Sequence, residues 1–401
     1  MVFRIRSIIV SLTLLCLLFV GYRTTRYFFD HSFPEVTISG LEAGGVYAGD
    51  IACMLHGSDA YRVRSLSLTL DDTPLVEQHK INKRAFDYPF VIPTKTLPDG
   101  KHRLRTAVTD SSYSAHRTER EIEFFVDNVP LRAAFTAHDA TFKVTQGNTL
   151  RVQFQVNKPL RDAQIQILST SHRCHQENGA SLIYECFVPI KSDEQPSEYP
   201  FTIQMVDRVG NRSALDGKLD VIAAQFPKQL LRVGKEKIEK EEMAGRAERE
   251  FEPLIAQITA QSPVTPLWKG AFYAPCDMRG VTTQFGTIRT SEERGRYRHD
   301  AVDLSAMPRS IVWAAQDGTV VLKDRFVHSG NTVILDHGAG IITLYFHLDS
   351  FADIAVGDTI KKGKPLGRLG MTGYASGYHL HWELRINNVP VNPLQWIDYT
   401  F

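Results

Sequence analysis

A chain of 401 residues, 43% of them apolar, is long enough for two to four globular domains. Lys and Arg number 46 against 45 Asp and Glu, a formal net charge of +1, so the whole-chain balance offers no polycation for nucleic acid. The first 30 residues stand apart. Arg4 and Arg6 make the start basic, and Ser7 to Tyr22 carries no charge and is mostly Ile, Leu, Val and Phe. No small-residue cleavage site follows, and Leu14-Leu15 before Cys16 does not suit lipid attachment. The run is short against the roughly 20 residues that a bilayer core asks for, but Tyr22, Tyr27 and Phe28 suit an interface and Arg6 and Arg23 can snorkel. The expectation for residues 1–30 is an uncleaved signal anchor, a transmembrane helix, with a cleaved signal peptide as the alternative. Arg4 and Arg6 face Arg23 and Arg26 across the run, so charge leaves its orientation open.

Residues 34–128 alternate apolar and polar side chains in Val36–Ser39, Arg64–Leu70 and Glu121–Val126, with turn signals at Asp71-Asp72 and Pro98-Asp99-Gly100. Strands of this length predict a β-sandwich. Leu97-Pro-Asp-Gly-Lys-His-Arg-Leu followed by Ala107-Val-Thr-Asp110 resembles the immunoglobulin-like modules of bacterial surface proteins. Residues 131–223 predict a second sandwich, ending in a similar turn at Val206–Ser213. Both read most simply as spacers. Of the five cysteines, Cys174 and Cys186 flank a polar stretch with Asn178-Gly179 and suit a loop-closing disulfide; none of the five sits near another at metal-ligand spacing.

Residues 224–262 are dense in helix formers and in opposite charges at helical spacing, with sparse apolar positions at Ile238, Met243, Phe251 and Ile255. The expectation is a solvated connecting helix; a regulatory helix packed over a cleft or a partner is the sharper alternative. Ser262-Pro-Val-Thr-Pro-Leu then breaks the helix.

The final domain, residues 271–401, carries the chemistry in three alternating pieces. They are Arg298–Leu304, Leu344–Leu348 and Tyr378–Leu384. Strand periodicity puts His299, Ala301 and Asp303 on one face, Tyr345 and His347 on one face, and His379 and His381 on one face. Four His and one Asp thus converge on a polar surface backed by apolar side chains. A catalytic zinc takes three ligands of these types and leaves a position for water, whose pKa falls toward neutrality. The two remaining imidazoles supply a base and oxyanion stabilisation for peptide hydrolysis.

Gln284-Phe285-Gly286, His299-x-x-x-Asp303, the Gly-Asn-Thr-Val-Ile-Leu-Asp-His-Gly run at 330–338, Leu344-Tyr345-x-His347-Leu348 and Gly370-x-Thr372-Gly373 before His379-Leu380-His381 resemble the lysostaphin/LytM-type zinc metallo-endopeptidases. The resemblance implies one Zn2+ ion held by His299, Asp303 and His381. It implies catalytic imidazoles at His347 and His379, and peptidoglycan stem peptides as substrate through a metal-activated water. Spacing alone does not say which His of His379-x-His381 binds the metal. A charged loop, Thr287 to Arg298 (Glu292, Glu293, Arg294, Arg296, Arg298), departs from the family and is expected to border the cleft, with Tyr297 as a candidate oxyanion helper. Asp317-Gly318 and Val356–Gly367 also resemble lipoyl- and biotinyl-carrier barrels, without the modifiable Lys in a hairpin tip, so they argue for β-architecture only. His337, in the turn Asp336–Gly340, is expected to be structural.

The expected fold is mainly β: two immunoglobulin-like sandwiches, a connecting helix and an antiparallel, barrel-sandwich-like peptidase domain behind a transmembrane helix. The expected protein is a single-pass protein of the cytoplasmic membrane with its bulk outside. A non-catalytic adaptor that activates another wall hydrolase is the alternative; such relatives lose ligands, whereas here all five positions are filled. A protease acting on general proteins would share the mechanism and differ only in its groove.

Overall fold

The computed structural model describes residues 2–137, 140–177, 179, 181–230, 238–291 and 295–398. They form two compact units, Met1–Pro130 with Arg208–Asn211, and Leu131–Asp207 with Arg212–Phe401.

The first unit begins with the helix Val2–Phe28, whose large apolar side chains from Leu12 to Val20 are exposed. Among the described residues no helix is long and apolar enough to cross a membrane, so the expected transmembrane helix over residues 1–30 is not supported. The helix itself is 27 residues long, but Arg23 and Arg26 near its end dilute the apolar run. The β part is one six-stranded sheet, with Glu35–Ser39, Ile51–Leu70, Gly100–Asp110, Arg117–Val126 and Val46–Tyr47 side by side and Thr73–Ile92 paired with Ile51–Leu70. The 20-residue strand Ile51–Leu70 shifts register against its neighbour between Ser58 and Val63. Its two halves then share cores, Ile51 and Cys53 with Leu70, and Leu55 with Leu66 and Leu68. A single sheet folded on itself therefore does what two separate sheets were expected to do. The Asp71-Asp72 turn is a two-residue hairpin with both residues at positive φ, 47° and 72°, as the right-handed strand twist favours.

The second unit opens with a sandwich of a five-stranded and a four-stranded sheet around a shared apolar core that includes Val152, Phe154, Ile165, Ile203 and Leu219. The Cys174–Cys186 disulfide forms, closing 12 residues of chain as expected, while Cys53 and Cys276 are buried free thiols. Asn178 and residues 235–237 of the charged run lie outside the described residues. From Ile238 to Ala260 the chain is helical. Met243 is exposed, as a solvated helix requires, but Phe251 and Ile255 are buried with Leu322, Ile334, Ile342, Leu344 and Phe346. Phe251, Leu254, Ile255 and Ile258 make an i, i+3, i+4, i+7 stripe, and the helix docks by it. The expectation of a merely solvated connector is thus corrected.

The C-terminal part is an eight-stranded antiparallel sheet. Its order is Gly280–Thr283, Val302–Ser305, Leu380–Ile386, Ile341–Leu348, Gly330–Asp336, Gly318–Phe326 and Thr359–Ile360, with Val389–Val391 added to Leu380–Ile386. One face carries Val302, Leu304, Tyr345, Leu380, Trp382 and Leu384 into a core shared with the smaller sheet of Ile311–Trp313, Pro365–Arg368 and Ser350–Phe351. The opposite face takes the docked helix and the polar cluster. His337 is structural: it is buried, with Nδ1 2.7 Å from Asp317 O and Nε2 2.7 Å from Thr343 Oγ1. The sandwich grips this domain at its terminal helix Leu394–Asp398. Gln395 and Thr149 exchange hydrogen bonds of 2.7 and 2.9 Å, Trp396 Nε1 donates to Thr149 Oγ1 at 3.0 Å, and Phe187 packs on Trp396.

Candidate metal centre

The register of the sheet brings the polar residues together. Asp303 stands opposite His381, and His381 opposite Phe346. Residues directly opposite share a face, so Asp303, His381 and Phe346 lie on the helix-bearing side, and His379, Glu383 and Arg385 follow by alternation. Strict alternation on Ile341–Leu348 would send His347 to the other side. It reaches the cluster because its own φ is +61°, a left-handed conformation that breaks the pleat. The expectation that Tyr345 and His347 share a face is corrected accordingly: Tyr345 pairs with Trp382 in the core, and Phe346 stacks on His381 with ring centroids 5.0 Å apart.

His347 is held in this conformation by two bonds. Its N–H donates to Ser329 O at 2.8 Å, and its Nδ1 donates to Thr372 O at 2.8 Å. The loop carrying Thr372 packs so closely on the start of Gly330–Asp336 that a Cβ at Gly330 would collide with the Thr372 backbone, and one at Gly373 with that of Gly330. Glycine at both places is what lets the loop approach.

His299 Nε2, Asp303 Oδ1 and His381 Nδ1 form a triangle with edges of 3.0, 3.1 and 3.1 Å. His299 and Asp303 are 5% and 6% exposed. Three mutual contacts of this kind cannot all be hydrogen bonds. The carboxylate accepts from each ring, and then two N–H groups face one another across the third edge. A single cation satisfies all three atoms at once. Tetrahedral zinc with bonds of about 2.0–2.1 Å asks for ligand separations of about 3.3 Å, close to those observed. The donor set fits the ion.

The neighbours of the triangle set its charge. His381 Nε2 lies 3.1 Å from Glu383 Oε1, which leaves Nδ1 as the ligand-type nitrogen. Arg385 donates to Glu383 Oε2 at 2.8 Å and forks onto Glu252 of the docked helix at 2.7 and 2.9 Å. Burial alone would raise the Glu383 carboxyl, but Arg385 and His381 bring it down to about 2. Burial would lower His381, but Asp303 and Glu383 outweigh it and lift the imidazole to about 9 in the absence of metal. Burial likewise opposes the Asp303 charge, yet His299 and His381 hold its carboxyl well below the usual range. Arg289 meets Asp303 Oδ2 at 3.2 Å, leaving Oδ1 to the imidazoles. His299 is lowered mainly by burial, and its Nδ1 is buried with no partner among the described residues.

The two remaining imidazoles lie beside the triangle. His347 and His379 have ring centroids 4.8 Å apart, and His379 Nε2 is 3.7 Å from Asp303 Oδ1. His379 Nδ1 donates to Gly377 O at 2.9 Å. Burial first, then the neighbouring rings of His381 and His379, hold His347 well below the usual imidazole range, so it is neutral.

All five expected residues are brought together. The charged loop proves to be a hairpin, Ile288–Ser291 with Gly295–Arg298, extended by the parallel strand Lys228–Leu230. Glu292, Glu293 and Arg294 lie outside the described residues, and Tyr297 sits on the hairpin opposite Arg289. Four residues were not singled out from the sequence: Glu383, Arg385, Arg289 and Glu252. The first two had a signal, since His379, His381, Glu383 and Arg385 continue one alternating face. Arg289 and Glu252 had none.

Residues 297–393 match the model of peptidase family M23, and the chain carries a domain of that family. The DD-carboxypeptidase/endopeptidase Mpg of Neisseria meningitidis serogroup B is 41% identical over 96 residues, which are 24% of this chain and 22% of that protein. The peptidoglycan DD-endopeptidase ShyC of Vibrio cholerae is 33% identical over 126 residues, 31% of this chain and 29% of that protein. The chain thus spans less than a third of the length of these relatives. A solved M23 peptidase of Pseudomonas aeruginosa overlays with a TM-score of 0.45 at 20% identity, covering 63% of this chain and 94% of that one.

Proposed function

We propose that the M23 domain makes this chain a zinc metallo-endopeptidase that hydrolyses peptide cross-links of bacterial peptidoglycan. The observation that carries the reading is the triangle of His299, Asp303 and His381, three donor atoms 3.0–3.1 Å apart on one sheet face. These three residues would hold the ion. When bound, zinc supplies Lewis acidity to a carbonyl and acidity to water.

The chain's own residues do the proton work. A carbonyl oxygen only accepts, so the bonds to Thr372 O and Gly377 O fix the Nδ1–H tautomer of His347 and His379 and leave each Nε2 with a lone pair. His347, buried and neutral, takes a proton from attacking water. The His347 imidazolium so formed stabilises the developing oxyanion and then delivers the same proton to the departing amine, with the Nε2 lone pair of His379, its ring centroid 4.8 Å away, placed to relay it. Glu383 keeps His381 oriented, and Arg289 keeps Asp303 turned toward the imidazoles.

The names of the relatives support D-residue-containing stem peptides as the substrate. The Cys174–Cys186 disulfide supports an exported protein. The β-modules are read as immunoglobulin-like spacers, and no membrane-spanning role is assigned to the N-terminal helix. The test is digestion of peptidoglycan sacculi by the full chain with zinc supplied, with released fragments resolved by mass spectrometry. Cleaved cross-links are expected; cross-linked dimers that stay intact would refute the enzyme and favour an adaptor. His381→Ala should lose metal and cleavage together.

A further inference from the structure

Three aspartates meet in the N-terminal unit. Asp30 follows the helix Val2–Phe28, Asp59 lies within the strand Ile51–Leu70, and Asp110 ends the strand Gly100–Asp110. Each brings a carboxylate oxygen within 4.8 Å of the other two. Asp110 is fully buried and Asp59 is only 9% exposed. One oxygen of each is committed to its own turn. Asp30 Oδ1 accepts from the Ser32 N–H and hydroxyl, Asp59 Oδ1 from the Tyr61 N–H at 2.7 Å, and Asp110 Oδ1 from the Ser112 N–H at 3.0 Å. Asp110 Oδ2 also meets Ser112 Oγ and His116 Nδ1, each at 3.0 Å. Asp30 Oδ2 and Asp59 Oδ2 are buried with no hydrogen-bond partner among the described residues.

That arrangement is unfavourable as it stands. A buried carboxylate oxygen without a partner costs free energy, and three like charges raise the cost. Burial, and after it the charges of Asp30 and Asp110, push the Asp59 carboxyl up. Among the described residues the ion-pair partner of the three is the imidazole of His116, 3.0 Å from Asp110 Oδ2, while Asp30 Oδ2 and Asp59 Oδ2 stay uncompensated. What those two lack is a compact positive charge that takes oxygen ligands. A separation of up to 4.8 Å fits calcium, whose bonds of about 2.3–2.6 Å let opposing oxygens lie about 5 Å apart.

We propose that Asp30, Asp59 and Asp110 form a calcium site that ties the segment leaving the N-terminal helix to the strands Ile51–Leu70 and Gly100–Asp110. The same neighbourhood is already pinned by Tyr113 N–H donating to Tyr27 O at 2.9 Å. Tyr27 stacks edge-on with Tyr61 and Tyr113, at centroid distances of 6.4 and 6.2 Å. These tyrosines would act as antennae for terbium, a calcium-sized luminescent ion.

The test uses the full chain, loaded with zinc beforehand so that the peptidase centre is filled. Tyrosine excitation should give sensitised terbium emission that calcium displaces in the range of about 10⁻⁴–10⁻³ M, as for extracellular modules, and that magnesium displaces at least about tenfold less well. Calcium should also raise the unfolding midpoint of the parent. Asp59→Asn should weaken calcium at least about tenfold and abolish the shift. Without calcium its midpoint should not fall below the parent's, because a repelling charge is gone. A merely structural aspartate would behave oppositely. Should Asp59→Asn fail to fold, Asp30→Asn, which lies outside the sheet, carries the same expectation. Absence of emission and of a shift in the parent, full calcium response in the folded variant, or equal potency of magnesium would each overturn the proposal.

Discussion

His347 sits at φ +61°, a conformation that few non-glycine residues adopt, and the cluster is complete only because it does. Asn tolerates this region better than most residues. His347→Asn should therefore keep the fold and the metal while turnover falls by about 10²–10⁴, the usual scale of general acid–base catalysis. Metal content and sacculus digestion on one preparation check it, and a variant that digests at the parental rate sinks the role. Glu383 acts at one remove, through His381 Nε2 at 3.1 Å. Glu383→Gln keeps an acceptor and loses the charge, so metal affinity should fall about 10–100-fold, as measured by competition with a chromogenic chelator. The five polar residues were legible because each sits on a short alternating segment. The division into ligands and bases proposed for them was not, since it rests on carbonyls and carboxylates beside each ring nitrogen that only the fold supplies.

At the level of elements, alternation located the strands of the catalytic sheet but assumed an unbroken pleat. Period-2 reasoning placed Phe346 away from His381, whereas the register sets them face to face. One residue at positive φ, locked by a loop some 25 residues downstream, was enough to change sides. The linker helix shows the same limit. Its charges suggested solvation, and the compact stripe around Phe251 and Ile255 was diluted by the long polar run before it. Nothing local marks Glu252 as the partner of Arg385, 133 residues away. The helix closes a chain of contacts, Glu252 to Arg385 to Glu383 to His381, so its docking bears on the metal centre. Phe251→Ala should cost about 3–5 kcal/mol at most, seen in denaturant unfolding, and weaken metal binding in the same preparation. Unchanged metal affinity after clear destabilisation would show that the helix supports the fold and not the centre.

On the scale of the whole second unit, sandwich and catalytic sheet are joined by neutral, buried contacts that acid should loosen. His172 of the sandwich accepts from Asn387 Nδ2 at Nδ1, 2.9 Å away, and its Nε2 meets Thr170 Oγ1 at 2.8 Å. Burial lowers His172 to about 4, and burial also takes His337 to about 4. In the unfolded chain both titrate near 6.5. Between those values the unfolded state binds more protons, so stability rises with pH there: the contribution is complete above about pH 6.5 and is lost as pH falls toward 4. Each histidine adds a slope approaching about 1.4 kcal/mol per pH unit within that window. Protonating His172 also turns its Nδ1 into a donor facing the Asn387 amide, which strains the joint directly. The zinc-loaded protein should therefore unfold at a lower temperature at pH 5 than at pH 7.5. His172→Gln, which cannot take up a proton, should start lower at pH 7.5 yet lose less on acidification. If calorimetry finds parent and variant falling in parallel, the joint is not what acid opens.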